Sequence, residues 1–124
     1  PPGFHAGGLR YHGMSPLVSH LANENEIECT SYKQLECFEA GVTFAKAEGI
    51  LPAPEANHAV KGAIVEALKA KEEGESKTIL FNLCGHGHFD MQAYTDYFGG
   101  KLKDQDYDES EVAMALANLP SVSA

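Results

Sequence analysis

The stretch Thr78–Asp90, TILFNLCGHGHFD, decides how the chain is read. Its first six residues, TILFNL, are apolar on both alternating faces except at Asn82. A strand with one wet face alternates apolar and polar residues. One that is apolar throughout suits the middle of a sheet, with helices above and below. A glycine loop follows, with Cys84, His86 and His88 at alternate positions and Gly85 and Gly87 between them. In open α/β sheets, ligands sit beyond the carboxyl ends of strands, and this loop stands at that place. Its glycines let a backbone approach a flat ring or a phosphate closely.

The loop admits four readings. Cys84, His86 and His88 suit zinc or nickel, as in a small self-contained metal- or ligand-binding module. A structural zinc site needs a fourth ligand, however, and paired cysteine or histidine clusters are absent from the sequence. In a second reading Cys84 is a nucleophile activated by His86 or His58, although no signature places a base beside it. In a third, Cys84 packs as a small group and the histidines hold the shape of the loop. In the fourth, the loop faces a cofactor.

Outward from the loop the pattern is helical. Ser31 and Gln34 match a capping box, and Leu35, Phe38, Val42 and Ala45 follow at helical spacing. Gly49 offers a left-handed cap, and Pro52 and Pro54 cannot continue that helix. A second helix is predicted from about Glu55–Asn57, with Val60, Ala63, Ile64, Ala67 and Leu68 as its buried stripe. Leu17–Ala22 reads as a short helix and Ile27–Thr30 as a short strand. A helix after Asp90 should stop at Gly99-Gly100. Glu109–Leu119 reads as a last amphipathic helix, with Val112, Ala113 and Leu116 inward. Residues 1–16, PPGFHAGGLRYHGMSP, read as a loop, and unstructured loops of that length usually bind something.

The expected architecture is therefore α/β, a partial three-layer sheet with flanking helices. Residues 1–16 would form an active-site loop, 17–100 the α/β core and 101–124 a helical tail, all within one unit. Two strands make a poor sheet. A chain opening at Pro1 without methionine also fits a piece of a longer protein, whose earlier part would supply further strands. The formal net charge of −9 opposes binding to nucleic acid or an anionic membrane surface. No apolar run approaches the roughly 18 residues of a membrane helix, and no secretory signal pattern is visible. Three cysteines at irregular spacing read as reduced thiols, which implies a cytoplasmic protein.

Three stretches together resemble one family. HAGGLRYHGMSP (5–16), EGILPAPEANHAV (48–60) and FNLCGHGHFD (81–90) are similar, in order and spacing, to the closing segments of the tryptophan synthase beta chains. GLRYHG, with arginine where the common type has aspartate, and GHGHFD resemble the second, beta-like type. The resemblance implies the C-terminal portion of a fold type II enzyme that uses pyridoxal 5'-phosphate. It implies that Glu55 lies near the pyridoxal ring and its 3-oxygen, that Cys84 faces the pyridine nitrogen, and that Gly85 packs beside it. It assigns Arg10 to the amino-acid substrate, where a guanidinium would favour an anionic group such as a phosphate. It places the backbone carbonyls of Tyr11 and Gly13 near a monovalent cation.

The reaction implied is β-replacement, joining L-serine or an activated, phosphorylated serine to indole to give L-tryptophan. The alternative within the same class is a serine or threonine dehydratase type of β-elimination. None of the chain's lysines stands in the family's His-Lys-x-Asn context, and its Gly-Gly-Gly-Ser-Asn-like phosphate loop has no counterpart here. The Schiff-base lysine and phosphate cradle are thus expected from the missing N-terminal part of the same enzyme. The 124 residues alone should be inactive and bind no cofactor. Expected partners are that missing part, further copies in a homo-oligomer, and an alpha subunit.

Overall fold

The computed structural model describes residues 5–11, 13–105 and 109–117. The helices stand close to where the sequence places them: α1 (Pro16–Asn23), α2 (Gln34–Glu48), α3 (Pro54–Glu73), α4 (Met91–Phe98) and α5 (Glu109–Ala117). A short 3-10 turn, Gly7–Leu9, precedes α1. The start of α2 differs from expectation. Its cap is Lys33, whose N–H donates to Glu36 Oε1 at 2.7 Å, and Leu35 N–H donates to Asp104 Oδ1 at 2.9 Å. The Ser31 and Gln34 pair gives way to Lys33 and Glu36 because carboxylates accept from the free helix N–H groups more strongly than an amide does. Gly49 ends α2 at φ 70°, as its sequence position implies. Pro54 begins α3 at a position where its missing N–H is not needed, and Gly74 ends the helix at φ 70°.

The core lies where α2, α3 and α4 meet. Cys37, Phe38, Ala40 and Gly41 of α2 and Ala56, Asn57, Val60 and Ala70 of α3 are buried. Phe38, Ala93 and Tyr94 form a second centre, with Val42, Leu51, Tyr97 and Leu102 packed around it. The Phe38 ring meets Tyr94 edge-on at 5.1 Å and stacks on Tyr97 at 5.5 Å. Such pairs add about 0.5–1.5 kcal/mol to the area they bury.

The expected sheet is not formed. Among the described residues there is no strand, and the isolated antiparallel bridge between Pro52 and His86 is the one β-type pairing. Neither Thr78–Leu83 nor Ile27–Thr30 is paired. A strand's N–H and C=O groups point sideways and need a neighbouring strand, and these short segments do not meet. The pattern of burial in 78–83 is nevertheless that of a strand: Ile79 and Phe81 are half-buried, whereas Leu80 between them is 94% exposed. Phe81 rests edge-on against Phe44 of α2 at 5.8 Å, so one face is docked on the helices and the other is bare.

Other apolar positions are less covered than their spacing suggests. In the α3 stripe Val60 is buried and Ala63 and Ile64 half-buried, but Ala67 and Leu68 are exposed. In α5, Ala113 and Leu116 are exposed, and the side chain of Val112 lies outside the described ones. No described helix is long and apolar enough to cross a membrane.

Candidate functional site

The three motif stretches converge on the amino end of α3. The turn Leu51–Pro54 lies against the glycine loop: Ala53 N–H donates to Gly85 O at 2.8 Å, and Gly87 N–H donates to Leu51 O at 2.7 Å. These bonds flank the Pro52–His86 bridge, so Pro52 sits where no N–H is required of it. A Cβ on Gly85 would stand 3.1 Å from Ala53 Cβ, and one on Gly87 would meet the carbonyl oxygen of Pro52. Gly87 is therefore demanded by close backbone approach, and Gly85 packs tightly on the Ala53 side chain. From the other side, Gly8 N–H in the 3-10 turn donates to Glu55 Oε1 at 2.7 Å. Glu55 thus serves the loop and, in the first turn of α3, also complements the helix dipole.

A buried polar group underlies this junction. Tyr94, 3% exposed, has its hydroxyl 2.6 Å from Pro52 O and 3.0 Å from Asn57 Nδ2, with Asn57 Oδ1 3.2 Å away. A phenol has one proton, and the shortest contact takes it: Tyr94 donates to Pro52 and accepts from Asn57. Burial pushes the Tyr94 phenol above its ordinary pKa, so it remains a donor. Asn57 is itself fully buried and fits only because position 41 has no side chain. The sequence marks this place weakly: a glycine inside a helix costs about 1 kcal/mol relative to alanine and calls for a packing reason.

Of the residues singled out from sequence, Glu55, Cys84 and Gly85 gather around Ala53, with Cys84 exposed and Gly85 half-buried. Arg10 lies apart from them. With His5, Gln34, Lys101, Leu102, Lys103 and Gln105 it lines an open cleft of about 410 Å³. Gln34 holds that cleft together, accepting from His5 N–H at 3.0 Å and donating to Lys103 O at 3.3 Å. Three cations, Arg10, Lys101 and Lys103, line it, and Lys101 is paired with Asp96 at 3.1 Å. Tyr11 is 81% exposed, and nothing stands within 4 Å of a Cβ on Gly13.

The metal reading of the loop is corrected. The rings of His86 and His88 lie 5.0 Å apart, but His86 Nδ1 is occupied by the His88 N–H at 3.2 Å. No group of three or more His, Cys, Asp or Glu able to hold a metal ion occurs among the described residues. All three cysteines are free thiols, with Cys29 and Cys84 exposed and Cys37 buried.

The glycine loop is thus pinned against the start of a helix, with a carboxylate and a thiol around the junction. Comparison with known proteins carries this further. No family model matches the chain. It is 62% identical over 102 residues to tryptophan synthase beta chain 2 of Methanosarcina acetivorans, covering 82% of this chain and 23% of that protein. It is 62% identical over 104 residues to tryptophan synthase beta chain 2 of Aquifex aeolicus, covering 84% and 24%. It is 53% identical over 119 residues to the tryptophan synthase beta chain of Pyrococcus horikoshii, covering 96% and 26%. The chain belongs to the tryptophan synthase beta chain family and spans about a quarter of the length of the curated relatives it matches.

Proposed function

We propose that this segment forms one wall of the cofactor and substrate pocket of a tryptophan synthase beta-like enzyme, which joins L-serine or a phosphorylated serine to indole. The observation that carries the reading is the junction at Ala53, where the Glu55 turn and the Cys84–Gly85 loop share a backbone hydrogen bond of 2.8 Å. The residues fit pyridoxal phosphate by their chemistry. Gly85 brings no side chain to its tight contact with Ala53, and Cys84 offers a thiol, so the loop presents a thin, uncharged edge. A group of that kind suits an aromatic nitrogen that is to remain unprotonated, whereas a carboxylate would hold a proton there. Pyridoxal phosphate, when bound, supplies the electron sink that loosens bonds at the amino acid's α- and β-carbons.

In this reading Cys84 faces the ring nitrogen with Gly85 packed beside it, and Glu55, its Oε1 held by the Gly8 N–H, stands near the ring's oxygen. Arg10, in its cationic cleft, takes an anionic group of the substrate. The carbonyls of Tyr11 and Gly13 are assigned to a monovalent cation. The rest of a polypeptide about four times this length supplies the cofactor-anchoring lysine and phosphate loop, and covers the bare face of 78–83 with further strands. A homo-oligomer and an alpha subunit are the partners proposed, and the cytoplasm the compartment. The test uses the full-length protein carrying this segment. It should take up pyridoxal phosphate and form tryptophan from indole, and Arg10→Asp should weaken use of phosphorylated serine more than of serine. Absence of cofactor uptake would refute the reading.

A further inference from the structure

We propose that Tyr94 is a positioning residue of this site, setting the Glu55 turn and the Cys84–Gly85 loop in register through its hydroxyl. The inference rests on the function proposed above, but its observations are independent of that function. Pro52 O receives the Tyr94 hydroxyl at 2.6 Å, and Pro52 is the residue that bridges His86. The Tyr94 ring also closes on the loop directly, since a Cβ on Gly87 would stand 3.1 Å from its Cε2. One side chain therefore touches both halves of the junction, at positions three residues before Glu55 and three residues after Cys84.

Packing alone does not call for a hydroxyl here. Phenylalanine would make the same edge contact with Phe38 but would leave the Pro52 carbonyl and the buried Asn57 amide without this partner. What the hydroxyl adds is direction. It satisfies the Pro52 carbonyl from inside the core and is itself fixed by Asn57, so the turn has one height above α4. Asn57 in turn is held by α2 through the space left at Gly41. The site is thus referred to all three core helices at one oxygen atom.

The test is Tyr94→Phe in the full-length protein, beside Ala70→Gly, which loosens the far end of α3 without touching the junction. With Cys29→Ser in every background, the alkylation rate of Cys84 reads the loop in the absence of cofactor. Tyr94→Phe should change that rate by about 2–10-fold, the factor a lost hydrogen bond carries. In the loaded protein it should also shift the cofactor's fluorescence and lower kcat by about ten-fold or more, with KM changed less. Ala70→Gly should lower the melting temperature and leave the rate, the spectrum and kcat in place. Wild-type values in Tyr94→Phe, or equal changes in both variants, would overturn the proposal. If the parent protein takes up no pyridoxal phosphate, the functional reading fails, and the Cys84 rate alone still decides whether Tyr94 sets the loop.

Discussion

The same substitution, glycine to alanine in the middle of a helix, should have opposite signs at Gly41 and Gly62. In an unhindered helix interior it stabilises by about 0.5–1 kcal/mol, because alanine loses less backbone entropy. At Gly62 the new methyl would find Tyr32 Cε2 at 3.8 Å and its Oη at 3.9 Å, which is ordinary contact, so the full gain is expected. At Gly41 the methyl would stand on Asn57 Oδ1, with Cγ 2.5 Å and Nδ2 2.7 Å away. Asn57 is fully buried and cannot swing into water. The helices must part, which costs about 1–3 kcal/mol as overpacking, and Asn57 is pushed off Tyr94, which costs about 1–3 kcal/mol as an unpaired buried amide. Both together, less the propensity gain, leave Gly41→Ala less stable by about 1–5 kcal/mol. Urea unfolding followed by helical circular dichroism measures it. Adding Asn57→Ala to Gly41→Ala removes the obstruction, so the double variant should be more stable than the sum of the two single losses predicts. A Gly41→Ala chain as stable as the parent, or strict additivity in the cycle, would show that the buried amide does not lie where the structure puts it.

Gly87→Ala should detach the glycine loop from the Leu51–Pro54 turn, because its methyl meets the Pro52 carbonyl and lies 3.0 Å from Leu51 Cγ; a loss of about 1–3 kcal/mol in urea unfolding is expected, and an unchanged midpoint would exclude the contact. Glu36 is held below its ordinary pKa of 4.5 chiefly by the Lys33 N–H, which outweighs the opposing effect of burial, and then by Lys61 at 3.1 Å. The folded pKa lies below the unfolded one, so its stabilisation is complete above about pH 4.5 and is lost as the pH falls through the depressed value. Glu36→Gln should accordingly flatten the acid limb of a stability–pH curve and leave a smaller difference between neutral and acidic melts. The Cys37 thiol is pushed up to about 12, first by burial and then by Glu36, so a thiol reagent at neutral pH should find Cys29 and Cys84 quickly and Cys37 only on unfolding. Three equally fast thiols would contradict the burial of α2's inner face.

The parts of the fold that were legible in the sequence are those specified by neighbours in the chain. Gly49 and the two prolines after it end α2 and start α3 because their backbone preferences act within a few residues. The Lys33–Glu36 cap was misplaced by two residues because Ser31 and Gln34 satisfy the same local rule, and the choice was made by Asp104, which reaches Leu35 N–H from far along the chain. Three stretches were legible as belonging together, and the Gly8–Glu55 and Ala53–Gly85 hydrogen bonds join them in the structure. Asn57 and Tyr94 were not, since a polar residue in EANHAV and a tyrosine in an amphipathic helix look alike whether they face water or each other.

The sheet shows the limit most clearly. TILFNL reads as apolar on both faces, but only one of them is covered: Phe81 rests on Phe44 of α2 and Ile79 is half-buried, whereas Leu80 is bare. A leucine left 94% exposed between two half-buried neighbours forgoes about 1.5–3 kcal/mol of burial. A sequence that places it there is written for an environment larger than these residues provide. Relatives about four times as long contain the additional chain from which such an environment can be built. If Leu80→Lys were harmless to the full-length protein, that face would be a true surface; a loss of stability or solubility there, with little effect on the 124 residues alone, is the outcome this account requires.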